Sequence, residues 1–153
     1  MTTKGKILFV CTGNTCRSPM AEGIFLALTH KHPQWDVASA GIAASYGDLA
    51  SRETLDLLYR RHNIDFSGHG SQPVTEQLIE EATDIFTMTE AHLAILLAHF
   101  PQHAGKMHMA TEWTTRRDVP DPIGCGKRAY EQVSTVLDDA ITAIIQHLTQ
   151  RNR

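Results

Sequence analysis

The sequence predicts a single α/β domain over residues 1–153, with a mainly parallel sheet covered by helices on both faces. Three observations predict it. Short runs of branched and aromatic residues alternate with stretches whose apolar residues recur at helical spacing, as right-handed β-α-β crossovers require. The 153 residues, 42% hydrophobic and 20% charged, suffice for one buried core without help from disulfides or metal. No internal repeat, low-complexity stretch or linker divides the chain.

The elements follow in order. Lys6 to Cys11 is a short apolar run ending at Thr12-Gly13-Asn14, the pattern of a buried strand entering a tight turn. Ser18-Pro19 offers a capping hydroxyl and then a proline suited to a first helical turn. Met20, Ile24 and Leu28, with Ala21 and Ala27, carry that helix to a stop at Lys31 to Pro33. A strand is expected near Trp35 to Ala40, a helix through Leu55, Leu57 and Leu58, a helix from Thr75, and a buried strand at Asp84 to Met88. Glu90 to Phe100 reads as a helix stopped by Pro101, and Lys106 to Ala110 as a short fourth strand. Tyr130, Val133, Leu137, Ile141, Ile144 and Leu148 form one face of a long last helix. The longest irregular pieces, Gly41 to Ser51 and Thr111 to Lys127, both follow strands. Sites in open parallel sheets form at the carboxyl ends of strands, so both loops are expected to flank one.

Composition excludes several classes. Fourteen basic residues against seventeen acidic ones leave a net charge of −3, which supports neither a nucleic-acid footprint nor a polybasic membrane anchor. The run Ile7 to Val10 is too short for a signal peptide or a membrane span. Three cysteines, Cys11, Cys16 and Cys125, are an odd number without repeated spacing; a secreted disulfide scaffold is not indicated, and a reducing, cytoplasmic compartment is expected.

Chemistry concentrates at the end of the first strand. Cys11-Thr12-Gly13-Asn14-Thr15-Cys16-Arg17-Ser18 places a thiol and a guanidinium six positions apart around a five-residue loop, directly before a helix. A loop of this shape turns successive N–H groups inward and adds the positive end of the helix, and together these hold a dianionic phosphate. Arg17 can clamp two phosphate oxygens at once, which lysine could not. A hydroxyl from Ser18 and the same dipoles suit a thiolate at Cys11, and a thiolate is the nucleophile of a cysteine-dependent phosphatase. A lone cysteine at a strand end would read as a small buried hydrophobe; the strand before it and Gly13, Arg17, Ser18 and Pro19 after it favour the cradle. No Gly-x4-Gly-Lys-Ser/Thr string occurs, and Cys11 and Cys16 lack a second pair at metal-ligand spacing, so no zinc is expected.

Val10 to Glu22, Val-Cys-Thr-Gly-Asn-Thr-Cys-Arg-Ser-Pro-Met-Ala-Glu, resembles the signature of the low-molecular-weight protein phosphatases. The likeness covers essentially the whole chain, with Ser39-Ala40-Gly41, His69 with Ser71, Asp84 to Thr89, and Asp121-Pro122 in the family's order. The resemblance implies a four-stranded parallel sheet, no metal or other cofactor, and a cysteinyl-phosphate intermediate. It also implies that Asn14 shapes the loop through hydrogen bonds including Ser39 and His69, and that Ser18 bonds the thiolate. In this family the second loop cysteine, here Cys16, can form a protective disulfide with the nucleophile. A phosphorylated protein is the implied partner; the sequence leaves the oligomeric state open, with a monomer favoured.

Expulsion of an alkoxide, phenolate or amide-like nitrogen needs a carboxylic acid in reach. Asp118 and Asp121 share one loop. Asp121 precedes proline and matches the family's Asp-Pro motif, so it is assigned as general acid and then as base, although an Asp-Pro pair is also a common turn former. The nine histidines are scattered and expected to face solvent for the most part, with His69 the exception. Thr15 stands where tyrosine phosphatases of the family commonly carry isoleucine, and it resembles the members acting on phosphoarginine. A hydroxyl there leaves a less bulky wall able to bond polar groups near a P–N centre; a neutral β-branched exchange is the alternative. Ile123 stands where phosphotyrosine pockets of the family usually place an aromatic, and Tyr46 could supply the missing wall. Phosphoarginine is therefore expected over phosphotyrosine. The rivals are a tyrosine phosphatase of the same mechanism, an arsenate reductase, and a silent phosphoprotein-binding module. The reductase needs a cysteine relay, and Asp84 to Phe100 contains no cysteine; a pure binder has no need of Cys11 with Asp121. Cys125 has no assigned role.

Overall fold

The computed structural model describes residues 5–151. Its elements run β1 (Gly5–Cys11), α1 (Arg17–Leu28), β2 (Trp35–Gly41), α2 (Arg52–His62), α3 (Glu76–Glu81), β3 (Asp84–Thr87), α4 (Glu90–His99), a 3-10 turn (Pro101–Lys106), β4 (Met107–Met109) and α5 (Lys127–Arg151). The four strands lie in the order β2-β1-β3-β4, and all the pairings are parallel. The α/β class and the four-stranded parallel sheet are as the sequence predicts, and most boundaries agree to within a residue or two.

Strand order decides where a ligand can sit. The chain leaves β1 to build β2 on one side and returns to build β3 on the other, so the crevice beyond the carboxyl end of β1 is the topological switch point. Cys11 is the last residue of β1 and pairs with Gly41, the last of β2. A side chain at Gly41 would collide with the carbonyl of Thr12 and come within 2.8 Å of Ala44 and 3.0 Å of the Asn14 amide. Only glycine lets β2 lie that close to the turn.

Alternation along β1 explains its burial on both sides. Ile7, Phe9 and Cys11 enter one core with Met20, Ile24 and Phe25 of α1, Leu57 and Leu58 of α2, and Leu137, Ile141 and Ile144 of α5. Leu8 and Val10 enter a second core with Ile79 of α3, Ile85 of β3 and Leu96 of α4. Helices thus cover both faces, and the apolar positions read from the last helix, Tyr130 through Leu148, are all buried.

One local expectation fails in an informative way. The hydroxyl of Ser51 caps α2, that of Thr75 caps α3 and that of Thr89 caps α4, each accepting an N–H of its first turn. Helix α1 begins at Arg17, earlier than Ser18-Pro19 suggested, and its N-cap, Cys16, makes no side-chain cap. Ser18 lies inside the helix and its hydroxyl serves the loop instead. The first amides of α1 have no intrahelical acceptor and receive no cap from the Cys16 side chain.

Candidate active site

Cys11 is 2% exposed and Ser18 fully buried. Their side chains meet at 2.8 Å between Sγ and Oγ, and the Asn14 amide donates to the same sulfur at 3.3 Å. The amide donates, and the hydroxyl donates as well once the sulfur is a thiolate, so both stabilise negative charge there. Asn14, not Gly13, takes the left-handed turn conformation, with φ +58°. Asparagine tolerates that region better than most residues, and here its side chain is held from every side. Its Nδ2 donates to Ser18 Oγ and to Ser39 Oγ, both at 2.9 Å, and its Oδ1 accepts the Gln72 amide at 3.0 Å. Its carbonyl meets His69 Nε2 at 2.9 Å. Phe66 stacks on the His69 ring with centroids 5.2 Å apart.

The network continues one step further than the sequence suggested. Ser39 Oγ donates to Glu22 Oε1 at 2.6 Å, so its single proton is committed there and Asn14 must be the donor to Ser39. Burial pushes the Glu22 carboxyl up to about 7, against the opposing effect of the Ser39 bond. Glu22 stands four positions after Ser18 on one helix face, and that spacing is the signal that could have found it.

Arg17 is 5% exposed. Its Nη1 donates to the Val119 carbonyl at 3.1 Å, its Nη2 donates to Thr12 Oγ1 at 3.5 Å, and the same Nη2 lies 3.8 Å from Asp121 Oδ2. The guanidinium therefore joins the turn to the loop over Thr111 to Lys127. Asp121 is exposed and its Oδ1 accepts the Ile123 amide at 3.1 Å, a turn-forming contact that leaves Oδ2 toward Arg17. Asp118 Oδ1 accepts the Glu90 amide at 2.8 Å at the start of α4. Of the two carboxylates, only Asp121 is paired with Arg17 among the described residues.

Gly13 and Thr15 are half-buried on the turn. The Thr15 carbonyl accepts the Ser51 amide at 2.8 Å, and those of Cys11 and Thr12 accept the amides of Ile42 and Ala43, each at 2.9 Å. The loop after β2 is thereby stitched to the turn. Cys16 is buried with Sγ 3.2 Å from Tyr130 Oη; burial and that bond raise the Tyr130 hydroxyl's pKa. Cys11, Cys16 and Cys125 are all free thiols, the last exposed. Among the described residues no group of three His, Cys, Asp or Glu side chains could hold a metal.

The histidines correct one expectation. Of the nine, His30, His32 and His99 are exposed and the others are at least partly buried. His92 of α4 is the most enclosed at 6% exposure, and its Nε2 lies 2.9 Å from Thr12 Oγ1. Its approach to the turn is set by a separation of 80 residues, which no local pattern reveals; the only sequence signal is its place in the first turn of a helix that follows a sheet strand.

The arrangement is a thiol with two hydrogen-bond donors, an arginine fork and a carboxylic acid around an anion-sized turn. The family model for low molecular weight phosphotyrosine protein phosphatases matches residues 6–153. A protein-arginine-phosphatase of Bacillus subtilis is 34% identical over 150 residues, covering 96% of this chain and 99% of that one. The protein-tyrosine-phosphatase Wzb of Salmonella typhimurium is 35% identical over 133 residues, 87% of each. The solved YwlE arginine phosphatase of Geobacillus stearothermophilus superposes with a TM-score of 0.88 at 30% identity, covering 96% of this chain and 94% of that one. By its fold, its turn and these likenesses, the chain belongs to the low molecular weight protein phosphatase family.

Proposed function

We propose that this protein removes phosphate from phosphoarginine side chains of proteins in preference to phosphotyrosine, through a cysteinyl-phosphate intermediate. The Cys11 thiolate attacks phosphorus, the P–N bond breaks, and Asp121 gives its proton to the departing nitrogen. Water then attacks the phosphorus bound to sulfur, Asp121 takes its proton, and the S–P bond opens to release phosphate and the thiolate. Thr12, Gly13, Asn14, Thr15, Cys16 and Ser18 form the phosphate-binding turn, Arg17 neutralises the equatorial oxygens, and Ser39 and His69 hold Asn14. The expected setting is cytoplasmic; among the described residues no helix is long and apolar enough to cross a membrane.

Thr15 is the observation that carries the preference. Its hydroxyl stands on the half-buried wall of the turn, and among the described residues its side-chain bond is a weak 3.7 Å contact to Cys16 Sγ. A hydroxyl so lightly engaged is available to a guanidine nitrogen, whereas isoleucine would present only bulk. Arginine and tyrosine phosphatases are similar to this chain to the same degree, so the preference rests on Thr15.

Tyr46 favours a second reading. It is 74% exposed on the loop stitched to Thr12 and offers a face for a phenol ring, which suits a tyrosine phosphatase of the same mechanism. One comparison separates them: phosphate release from matched phosphoarginine and phosphotyrosine peptides by the wild type and Thr15→Ile, with Cys11→Ser as blank. Preference for phosphoarginine, reversed by the substitution, supports the proposal. Preference for phosphotyrosine by both proteins overturns it and leaves the tyrosine reading.

A further inference from the structure

We infer that His92 is a positioning residue that fixes the Thr12 hydroxyl as a hydrogen-bond donor toward the bound phosphoryl group, on the side of the site that faces Asp121. The inference rests on the phosphatase reading of the site but not on which amino acid carries the phosphate.

The protons around Thr12 Oγ1 fix the direction of its hydroxyl. Thr12 Oγ1 has two neighbours, His92 Nε2 at 2.9 Å and Arg17 Nη2 at 3.5 Å. A guanidinium only donates, so the Arg17 contact occupies one acceptor position of the hydroxyl. The other contact depends on the imidazole tautomer. His92 Nδ1 is buried and has no hydrogen-bond partner among the described residues. A neutral imidazole carries one N–H, and placing it at Nδ1 would bury an orphan donor, which proteins avoid more strongly than an unused acceptor. The proton therefore belongs on Nε2, which donates to Thr12. With both acceptor positions filled, the hydroxyl's own proton has one direction left, outward into the site. Thr12 is exposed, and it shares Arg17 Nη2 with Asp121 Oδ2, so this donor faces the side from which the acid approaches.

The charge environment keeps this arrangement of protons intact. Desolvation, with the Arg17 charge beside it, lowers the His92 ring to about 4 against the opposite pull of Asp118 and Asp121. The ring stays neutral wherever the enzyme is expected to work, and its single N–H is constant.

Two measurements test this. Nitrogen-resolved NMR of the histidine rings in the wild type reads the tautomer without any turnover: protonated Nε2 with bare Nδ1 is expected, and Nδ1–H at His92 overturns the inference. Steady-state kinetics on an aryl phosphate then compare Thr12→Val, His92→Phe, the double variant and His92→Gln, whose amide can donate from the position of Nε2. Thr12→Val is expected to lose about tenfold in kcat/KM, and His92→Phe most of that. The double variant should lose no more than Thr12→Val, and His92→Gln should recover most of the activity. Additive losses in the double variant, or a Gln variant as slow as the Phe variant, show a merely structural histidine. Wild type inactive on every phosphate ester would instead refute the phosphatase reading, and the NMR result would stand apart from it.

Discussion

The two sides of the phosphate turn are built differently. On the β2 side Asn14, Ser39, Ser18 and Gln72 form a closed network in which Asn14 is fully buried and uses every polar atom of its side chain. On the other side Asp121 is itself exposed and touches the turn through one 3.8 Å pairing with Arg17, although buried Val119 anchors its loop two residues earlier. The lesson is a division of labour. The phosphate and its transition state have one shape in every turnover, so the groups that meet them are fixed before substrate arrives. The leaving group varies and must depart, and the side chain of Asp121, the proposed acid, is half-exposed and held only by the Ile123 amide and the Arg17 pairing among the described residues.

The widest separation of the two sides is expected from Asp121→Asn. Removing the proposed proton donor should lower kcat by about 10²–10⁴-fold on substrates with poor leaving groups, while thermal stability changes little because a 3.8 Å pairing to a half-exposed carboxylate contributes little. A large loss of melting temperature in this variant would break the comparison. Asn14→Ala is the converse. It strips several buried hydrogen bonds and puts alanine at φ +58°, so a loss of about 3 kcal/mol in unfolding free energy is expected from chemical denaturation, with activity falling alongside it.

Glu22→Gln sharpens the same side through pH. Because the Glu22 carboxyl is raised to about 7 in the fold, the native protein keeps a proton that the unfolded chain releases near its ordinary value of 4.5. Stability attributable to this group therefore falls as pH rises from 4.5 to 7 and is lowest above 7. Glutamine cannot ionise yet still accepts from Ser39. The variant should flatten the profile and exceed the wild type by about 3 kcal/mol at most above pH 7, read from denaturant midpoints at several pH values. The smallest effect belongs to the acid loop: Ile123, 60% exposed, should tolerate alanine within about 0.5 kcal/mol of stability.

Much of the fold was legible because each strand is a short apolar run closed by a turn, and because the last helix repeats its apolar face without interruption. The placing of Cys11 and Arg17 on one turn was legible because strand, turn and helix follow one another locally, whereas Asp121 was singled out by the proline after it and its match to the family's Asp-Pro motif. Ser18 was read both as a cap and as the partner of the Cys11 sulfur, and only the second contact forms: a hydroxyl at a helix start can serve a free amide or a thiolate, and its place inside the first turn of α1 decides between them. Which residue of Thr12-Gly13-Asn14 takes the left-handed conformation was not legible, because asparagine as well as glycine tolerates it. Gln72, Glu22 and His92 escaped notice because their partners lie in other elements, at separations of 58, 17 and 80 residues. Such contacts exist only once the sheet has ordered β1 between β2 and β3.

The sulfur of Cys11 is the proposed acceptor of the phosphoryl group. Rapid acid quench of the wild type during turnover of an aryl phosphate, followed by mass analysis of the peptide containing Cys11, tests it directly. The predicted result is a phosphoryl adduct on Cys11 that forms before phosphate is released and is absent from Cys11→Ser, which is inactive. Phosphate release with no adduct on Cys11, together with retained turnover in Cys11→Ser, would contradict it.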